Sequence, residues 1–509
     1  MEVFIDGNHL TLDQIDAVAR GNARVVLAPA AIERIEQSRG VIEAILADHK
    51  TVYGVNTGFG KLSDIKIDDD HVNELQLNLI RSHSAGVGEP YSVPVTRAIM
   101  LLRANVLAKG NSGVRRKIID LLVQMLNHEV HPLIPSKGSV GASGDLAPLA
   151  HLALVLVGEG TVLSDTQTIS GKEALDQKGL MPVTLQAKEG LALINGTQAM
   201  TGVGSLAWHT SMRLSRVADI AGAMSLDVLQ GTDTAFDERI VNVRPHPGAV
   251  QVARNLRALL KGSGIRESHR ESAHKVQDQY SLRCMPQVHG SVRDALRVGE
   301  DWISIEINGA TDNPLVFPED NVLLSGGNFH GGPMSLCFDF LSIAVTQLAS
   351  ISERRVALLM DASQSELPPF LSRQSGLHSG FMMAQVTAAA LVSENKILAH
   401  PASVDTIPTS ANKEDHVSMG VTAALKYQQI VQNTSHVLAI ELMCAAQALD
   451  LLMPLKSSEP LQEAHRLIRS RVPALEKDRI LANDIQTITA IVQANELPTA
   501  VESILGHTL

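Results

Sequence analysis

Four long segments of the chain are rich in Ala, Leu, Ile, Val and Met and are almost free of helix-breaking residues. Residues 421–453 and 334–361 contain neither Gly nor Pro, residues 381–400 have the same character, and residues 205–230 are interrupted only by Gly222. Their apolar positions cover more than one narrow helical stripe. The pattern therefore predicts long helices packed inside a bundle.

The first 190 residues have a different pattern, broken often by Gly, Pro and Asp. They include short runs of β-branched residues at 161–163 and 166–169, which predict strands. We therefore predict a mainly α protein with two parts. Residues 1–200 form a smaller mixed head domain, and residues 201–509 form the helical bundle.

The composition fits this picture and narrows the possible partners. Hydrophobic residues make up 45% of the 509 residues but aromatic residues only 3%, so aliphatic side chains must fill the spaces between closely packed helices. The formal net charge is −11, with 19% charged residues. This balance argues against a nucleic acid or an anionic membrane as the main partner.

The cysteines and the apolar segments predict a cytoplasmic location. Cys284, Cys337 and Cys444 are far apart and form no C-x-x-C pair, as expected of reduced thiols. The amino terminus has no basic segment followed by an apolar run, so no signal peptide is predicted. No uninterrupted apolar stretch reaches the roughly 18 residues of a membrane span.

The most informative segment is GSVGASGDLAP, residues 138–148. If the backbone nitrogen of Gly144 approaches the carbonyl carbon of Ala142, a five-membered ring can close through Ser143. Loss of the Ser143 hydroxyl then completes 4-methylidene-imidazole-5-one (MIO), an electrophile. Gly144 lacks a Cβ, which allows the tight backbone turn that this reaction needs. Asp145 is predicted to cap a following helix that ends near Gly158.

The alternative is a glycine-rich turn that holds a phosphate, but the sequence does not match the phosphate-binding patterns. No Lys-Ser or Lys-Thr pair follows the glycines, and the segment fits neither G-x-G-x-x-G nor G-x-S-x-G. A second candidate at Gly60-Lys61 has Val55 and Leu62 where the P-loop needs Gly and a hydroxyl. We therefore favour the electrophile.

Further motifs, together with the longer string GSVGASGDLAPLAH, form a highly specific set. They are YGVNTGFG (53–60), RSHSAG (81–86), NGTQ (195–198), KVQDQYSLRC (275–284), DNP (312–314), SGGNFHG (325–331) and ANKEDHVSMG (411–420). This set resembles the aromatic amino-acid ammonia-lyases. The resemblance implies an aspartase/fumarase-like helical fold and a prosthetic MIO group formed from Ala142, Ser143 and Gly144. It also implies a homotetramer whose active sites draw residues from more than one subunit.

Three motif residues are candidates for acid–base chemistry and for holding the carboxylate of the substrate. Tyr53 and Tyr280 are two of only four tyrosines, and the resemblance implies that both reach the active site. A tyrosine acts as a general base only when its pKa falls well below about 10. Arg283 is the natural partner of a carboxylate and would share a helical face with Tyr280. The sequence leaves open which tyrosine removes the β-proton.

Three more residues are assigned by the resemblance. Asn195 and Gln277 resemble the amides that hydrogen-bond the prosthetic ring or the amine and carboxylate of the substrate. Phe329 resembles an aromatic residue that packs beside the ring. Without the resemblance, Asn195-Gly196 would be interpreted as an ordinary turn and Phe329 as part of the core.

His83 and Glu414 bear on the choice of substrate. Relatives that act on phenylalanine have apolar groups in place of His83 and Gln in place of Glu414. Polar groups that phenylalanine leaves unmatched would reject it and favour an imidazole side chain. Lys413 departs from the pattern, because Gln is expected there.

These residues predict non-oxidative elimination of ammonia from L-histidine to give trans-urocanate, the first step of histidine degradation. The electrophile would add to the amine of the substrate, and attack by its imidazole stays an open alternative. The other hypotheses are a phenylalanine or tyrosine lyase or aminomutase, a fumarase-like lyase without the ring, and a non-enzymatic helical scaffold. The 19 histidines are scattered without an H-E-x-x-H motif, so no metal or dissociable cofactor is expected.

Overall fold

The computed structural model describes residues 1–21, 23–48, 51–163, 168–271 and 276–509. By its internal contacts the chain divides into two compact units. Unit 1 comprises residues 1–209, 300–339 and 401–425, and unit 2 comprises residues 210–299, 340–400 and 426–509. The domain boundary near residue 200 stays a prediction.

Helices dominate the described residues. The α-helices are α1 (Leu12–Gly21), α2 (Pro29–Ala47), α3 (Val72–His83), α4 (Val93–Ala108), α5 (Arg116–Asn127), α6 (Leu146–Leu156), α7 (Gly171–Gln177), α8 (Glu189–Ile194), α9 (Gln198–Val228), α10 (Glu238–Asn242), α11 (Pro247–Leu260), α12 (Gly264–Ser268), α13 (Tyr280–Arg283), α14 (Met285–Glu306), α15 (Gly332–Met360), α16 (Ala362–Ser365), α17 (Met382–Leu398), α18 (Gly420–Leu451), α19 (Glu459–Arg471), α20 (Leu481–Gln493) and α21 (Glu496–Leu505). The strands are β1 (Glu2–Ile5), β2 (Arg24–Leu27), β3 (Val87–Pro90), β4 (His131–Pro132), β5 (Pro135–Lys137), β6 (Thr161–Leu163), β7 (Thr168–Ser170), β8 (Leu315–Phe317) and β9 (Val322–Leu324).

The four predicted long helices are present as α9, α15, α17 and α18. α15, α17 and α18 cover most of the segments that lack Gly and Pro, and α9 continues through Gly222. α15 and α18 begin at the glycines 332 and 420 that precede those segments. The predicted helix after Asp145 is also confirmed as α6.

The strands lie in unit 1 and form small sheets. β1 pairs with β2 in parallel, β3 pairs with β5, and β4, β6 and β7 form a three-stranded antiparallel sheet. The strand predicted at 161–163 is β6. β7 begins at Thr168, and residues 166 and 167 of the second predicted run lie outside the described residues. The antiparallel pair β8–β9 falls within the region predicted to be helical bundle.

Three helices of unit 1 position the candidate site. α3, α6 and α8 pack against one another. α3 ends at His83, α6 begins directly after Asp145, and α8 ends directly before Asn195. α4, whose residues from Val95 to Ala108 are all buried, contacts the end of α8 through Arg103. Packing of the apolar helix faces thus brings three helix ends, each next to motif residues, to one place.

Unit 2 contains charged groups buried between its helices. Arg355 and Glu441 form an ion pair whose two side chains are fully buried. Ser225 and Ser352 donate hydrogen bonds to the same carboxylate, so each of its oxygens is satisfied. Such pairs need this complete hydrogen bonding, because an unpaired buried charge is strongly destabilising.

Helix α17 departs from the predicted burial. Its buried residues are Ala384, Ala388 and Asn395, whereas Met383 and Ile397 are 62% and 73% exposed. The expectation that residues 381–400 lie inside a bundle is therefore wrong for a single copy of the chain. The apolar composition predicted the helix correctly but does not say what covers it.

One helix of the described part, α15, is long and apolar enough to cross a membrane by length and composition alone. The sequence prediction concerned uninterrupted apolar stretches, and Asp339 interrupts the apolar residues of α15. However, 67% of that window is buried within the structure. This burial is typical of a core helix.

Candidate active site

The Ala142-Ser143-Gly144 segment lies in a compact loop between β5 and α6. Ser139 closes this loop on itself. Its Oγ accepts a hydrogen bond from the Gly141 N–H at 3.0 Å and donates one to the Gly144 carbonyl at 3.1 Å. The first turn of α6 follows immediately, and a helix amino terminus favours negative charge that develops nearby.

Gly144 is in close contact with a second motif, NGTQ. Its φ is +73°, and a Cβ built on it would overlap the carbonyl oxygen of Gly196. The next residue, Asp145, donates its N–H to that same carbonyl at 2.7 Å. Only glycine therefore fits at 144, because both the left-handed backbone and the close approach exclude a side chain.

Asp145 stabilises a different helix from the one predicted. It occupies the N-cap position of α6 without making a side-chain capping bond there. Its Oδ2 instead accepts hydrogen bonds from Ala199 N and Met200 N, at 2.8 and 2.9 Å, in the first turn of α9. Burial raises the pKa of this fully buried carboxyl to about 7, against the hydrogen bonds and the Arg103 charge, which lower it.

The opposite side of the loop is held by the segment before α18. Met419 donates its N–H to the Val140 carbonyl at 2.8 Å, and Ser418 Oγ donates to the Gly141 carbonyl at 3.0 Å. The loop that carries Phe329 ends at Gly331, where a Cβ would lie 2.8 Å from Ser418 Oγ. Phe329 itself is half-buried.

Two predicted residues contact Ser143 directly. The Ser143 hydroxyl donates a hydrogen bond to Glu414 Oε1 at 2.6 Å. Asn195 Nδ2 donates to the Ser143 carbonyl at 2.7 Å, and the Asn195 side chain is buried. The structure thus brings an amide donor and a carboxylate to the residue that the sequence marks as reactive.

Glu414 is held by a strained loop. Thr409 Oγ1 donates to Glu414 Oε2 at 2.6 Å, and the backbones of Thr409 and Glu414 form two mutual hydrogen bonds. Between them, Ser410, Ala411 and Asn412 all have positive φ, between 50° and 63°. Non-glycine residues adopt this conformation at a cost of about 1–2 kcal/mol each. Such strain persists only where the surroundings enforce it and is concentrated at functional sites.

His83 and Tyr53 are half-buried and lie within the electrostatic influence of Glu414. Burial lowers the pKa of the His83 imidazole, while the Leu79 carbonyl and the Glu414 charge oppose this shift. His83 Nδ1 lies 2.9 Å from that carbonyl, so Nδ1 must be the donor. In the neutral ring Nε2 is then an acceptor.

The surroundings of Tyr53 do not supply the lowered pKa that a base needs. Burial raises the pKa of its hydroxyl, and the charges of Glu414 and Asp312 raise it further. A hydrogen bond from the Gly60 backbone acts in the opposite direction. The structure therefore does not select Tyr53 as the base.

The remaining predicted residues, Gln277, Tyr280 and Arg283, belong to unit 2. Tyr280 is 71% exposed, and the Arg283 guanidinium lies 4.7 Å from the centre of its ring. The two residues share α13, as their spacing predicted. Among the described residues Arg283 Nε has no hydrogen-bond partner although it is buried. Gln277 lines a cavity of about 230 Å³.

Sequence reasoning missed two supporting residues, Arg103 and Thr409. Arg103 is fully buried in α4 and donates to the Asn195 carbonyl at 3.0 Å. An arginine inside the apolar run MLLRANVLA was a usable signal, because an arginine is rarely fully buried unless its guanidinium has partners. No feature of the sequence pointed to Thr409, since only the folded loop brings its hydroxyl to Glu414. The side chain of Lys413, the departure from the expected pattern, is exposed.

The residues around Ser143 fit the MIO group. Its three source residues are small, Gly144 has the required close contact, and Asn195 donates to the Ser143 carbonyl that would become the ring oxygen. In the described part of the chain, no three His, Cys, Asp or Glu residues cluster in a way that could hold a metal ion.

Comparison with known proteins gives the same class of protein as the sequence motifs. The family described as aromatic amino acid lyase matches residues 10–470 of the chain. The chain therefore belongs to the aromatic amino acid lyase family, and the predicted lyase activity and mainly helical fold are confirmed.

Within this family, the chain is 54% identical over 503 residues to a protein named histidine ammonia-lyase from Anaeromyxobacter sp. (strain K), covering 97% of this chain and 99% of that protein. The crystal structure of histidine ammonia-lyase from Trypanosoma cruzi is 43% identical and superposes with a TM-score of 0.92, covering 99% of this chain and 95% of the other. Tyrosine aminomutase from Streptomyces globisporus is 38% identical, with a TM-score of 0.94 and 99% of both chains covered.

Proposed function

We propose that this chain eliminates ammonia from L-histidine to give trans-urocanate, the reaction of a histidine ammonia-lyase. The observation that carries the proposal is the carboxylate of Glu414, held 2.6 Å from the Ser143 hydroxyl. The nearby His83 has a free acceptor nitrogen when neutral. The Glu414 carboxylate can accept the N–H of a neutral imidazole, and a protonated imidazole has a second N–H for His83 Nε2. A phenyl ring would leave both acceptors without a partner. The relatives named histidine ammonia-lyase support the same substrate.

The proposed prosthetic group forms from the chain itself. Gly144 N bonds to the Ala142 carbonyl carbon, and the Ala142 oxygen leaves as water with the amide hydrogens of Ser143 and Gly144. The Ser143 Oγ then leaves as a second water with the Ser143 Cα hydrogen, which creates the methylene group. Asn195 Nδ2 would hold the ring oxygen, since it already donates to the Ser143 carbonyl. The completed ring supplies an electrophile that makes the amine of the substrate a better leaving group.

The other residues bind and orient the substrate. Arg283 would pair with its carboxylate through the guanidinium, whose Nε has no hydrogen-bond partner among the described residues. Tyr53 and Tyr280 are the two candidates for removal of the β-proton. Gln277 and Phe329 would hold the amino-acid backbone and pack beside the ring, as the family resemblance implies.

We also propose a homotetramer whose active sites combine residues of several copies. The exposed apolar side chains of α17 support this, because large exposed apolar faces of a soluble protein are usually interfaces. The 71% exposure of Tyr280 is consistent with its use in a site shared with another copy. Sedimentation should show a tetramer, and a fully active monomer would refute this part of the proposal.

The proposed location is the cytoplasm. The three cysteines, Cys284, Cys337 and Cys444, form no disulfide. Reduced, mostly buried thiols are typical of a reducing compartment.

A second candidate, a tyrosine aminomutase, is favoured by one observation, the TM-score of 0.94 to that enzyme. Incubation of the purified chain with L-histidine, L-phenylalanine and L-tyrosine separates the two. Histidine turnover should produce the ultraviolet absorbance of urocanate. Formation of β-tyrosine, with no urocanate, would support the aminomutase instead. Mass spectrometry of the peptide with residues 142–144 should show the loss of two waters, and an unshifted mass would contradict the MIO group.

A further inference from the structure

Arg103 is a buried cation with an unusual set of partners. Its side chain is fully buried in α4. It donates to the carbonyls of Ala192 and Asn195, at 2.9 and 3.0 Å, and to Gln198 Oε1. All three acceptors are neutral, and the described residues include no carboxylate in an ion pair with this guanidinium. Burial lowers its pKa to about 10, although the charges of Asp312 and Asp145 oppose this, so it is charged at neutral pH.

The three acceptors belong to one short segment, the junction of α8 and α9. Ala192 and Asn195 provide carbonyls at the carboxyl end of α8, where the last carbonyls have no partner within the helix and a cation is favoured. Gln198 is the first residue of α9 and also donates from Nε2 to Thr311 Oγ1 at 2.8 Å. Arg103 therefore fixes the position of the junction.

The same junction contacts the loop that carries Ala142, Ser143 and Gly144, which we call the reactive loop. Asn195 donates to the Ser143 carbonyl, and the Gly196 carbonyl accepts from Asp145 N and leaves no room for a side chain on Gly144. A Cβ built on Gly196 would lie 2.8 Å from Arg103 Nη2, so the guanidinium lies next to the backbone of Gly196. A shift of the junction would loosen the contact at Gly144.

We propose that Arg103 is a positioning residue for formation of the prosthetic ring. It holds Asn195 and Gly196 against residues 143–145, so that the loop stays bent enough for Gly144 N to reach the Ala142 carbonyl carbon. This inference rests on the proposed MIO group. Without Arg103 the loop relaxes, and ring closure slows although the chain folds. Intramolecular reactions are this sensitive to position, since a misplacement of about 1 Å can cost on the order of 100-fold in rate.

The test compares Arg103→Met with Arg97→Met, a matched control on the same helix. Arg97 is also buried and also donates to backbone carbonyls, those of Val18 and Leu126, but it has no contact with Asn195. For each folded, full-length variant, mass spectrometry gives the fraction of chains that have lost two waters from residues 142–144, and thermal unfolding gives the stability. The chains are isolated in denaturant before they have lost water and are then refolded, and we expect the dehydrated fraction to form at least about tenfold more slowly in Arg103→Met than in the wild type. In Arg97→Met it should form at the wild-type rate.

A conservative variant covers the case in which Arg103→Met does not fold. Arg103→Lys keeps the charge but cannot hold both carbonyls and Gln198 in the same fork geometry. It should dehydrate more slowly than the wild type and faster than any soluble Arg103→Met. Wild-type dehydration in Arg103→Lys, or equal slowing in Arg97→Met at matched stability, would overturn the proposal. A wild-type chain that never loses two waters would instead refute the MIO group itself.

Discussion

Replacing Glu414 by glutamine keeps the size of the side chain and removes its charge. In the structure one carboxylate oxygen accepts from Thr409 Oγ1 and the other from the Ser143 hydroxyl, both at 2.6 Å. A glutamine can still accept from Thr409 through its carbonyl oxygen. Its NH₂ group would then face Ser143, where it can donate but cannot accept an N–H.

The size of the effect follows from the bond that is lost. When Ser143 has lost its hydroxyl, Glu414 Oε1 is free to accept the imidazole N–H of histidine. A hydrogen bond to a charged group contributes about 1.5–3 kcal/mol, which corresponds to roughly 10- to 150-fold in rate. We therefore expect Glu414→Gln to lower kcat/KM for histidine by that factor. The melting temperature should change little, because the Thr409 contact is kept.

The assay follows urocanate absorbance, with the rate expressed per dehydrated chain from the mass of the 142–144 peptide. Asp415→Asn is the matched control, since it removes the neighbouring carboxylate, which is exposed to solvent. It should retain wild-type kcat/KM. If Glu414→Gln retains it as well, Glu414 does not bind the imidazole, even if the chain is a lyase.

Three further predictions address the loop and its supports. Ser143→Ala should leave the 142–144 peptide without the loss of two waters and should remove most of the activity; wild-type turnover would refute the MIO assignment. Thr409→Val should lower kcat/KM for histidine about tenfold by releasing Glu414, while Thr409→Ser, which keeps the hydroxyl, should stay near the wild type. Equal rates in the two variants would show that Thr409 does not position Glu414. Burial raises the pKa of Asp145 from 3.8 to about 7, so the folded chain binds this proton more tightly than the unfolded chain. The resulting stabilisation is complete below about pH 4 and is lost as the pH rises through about 7. Asp145→Asn should therefore reduce the fall in melting temperature between these pH values. If the melting temperature of the variant falls as steeply as that of the wild type, the raised pKa of Asp145 is contradicted.

The long helices could be predicted from the sequence because their signal is local. A segment such as 421–453 contains no residue that ends a helix, and α18 covers Gly420–Leu451. The exposure of α17 could not be predicted in the same way. Its apolar residues do not distinguish a surface covered within the chain from a surface covered by another copy.

Asp145 shows where local rules fail at the site. Its position before an apolar segment predicted a cap for α6, and that helix exists. The carboxylate instead caps α9, through residues 54 and 55 positions further along the chain. A capping rule considers only the next three residues, so a stronger tertiary partner is invisible to it. The reactive residues were predicted from their motif, but Arg103 and Thr409 act through contacts that only the fold creates.

These long-range contacts explain why the reactive loop needs the folded chain. Left to itself, a segment with glycines at 138, 141 and 144 would sample many conformations. In the structure it is held on one side by residues 195–200 and on the other by residues 418–419. Both supports come from distant parts of the sequence, so the bent conformation arises only after they assemble. Dehydration should therefore follow tertiary folding, and a chain kept in denaturant should retain both waters.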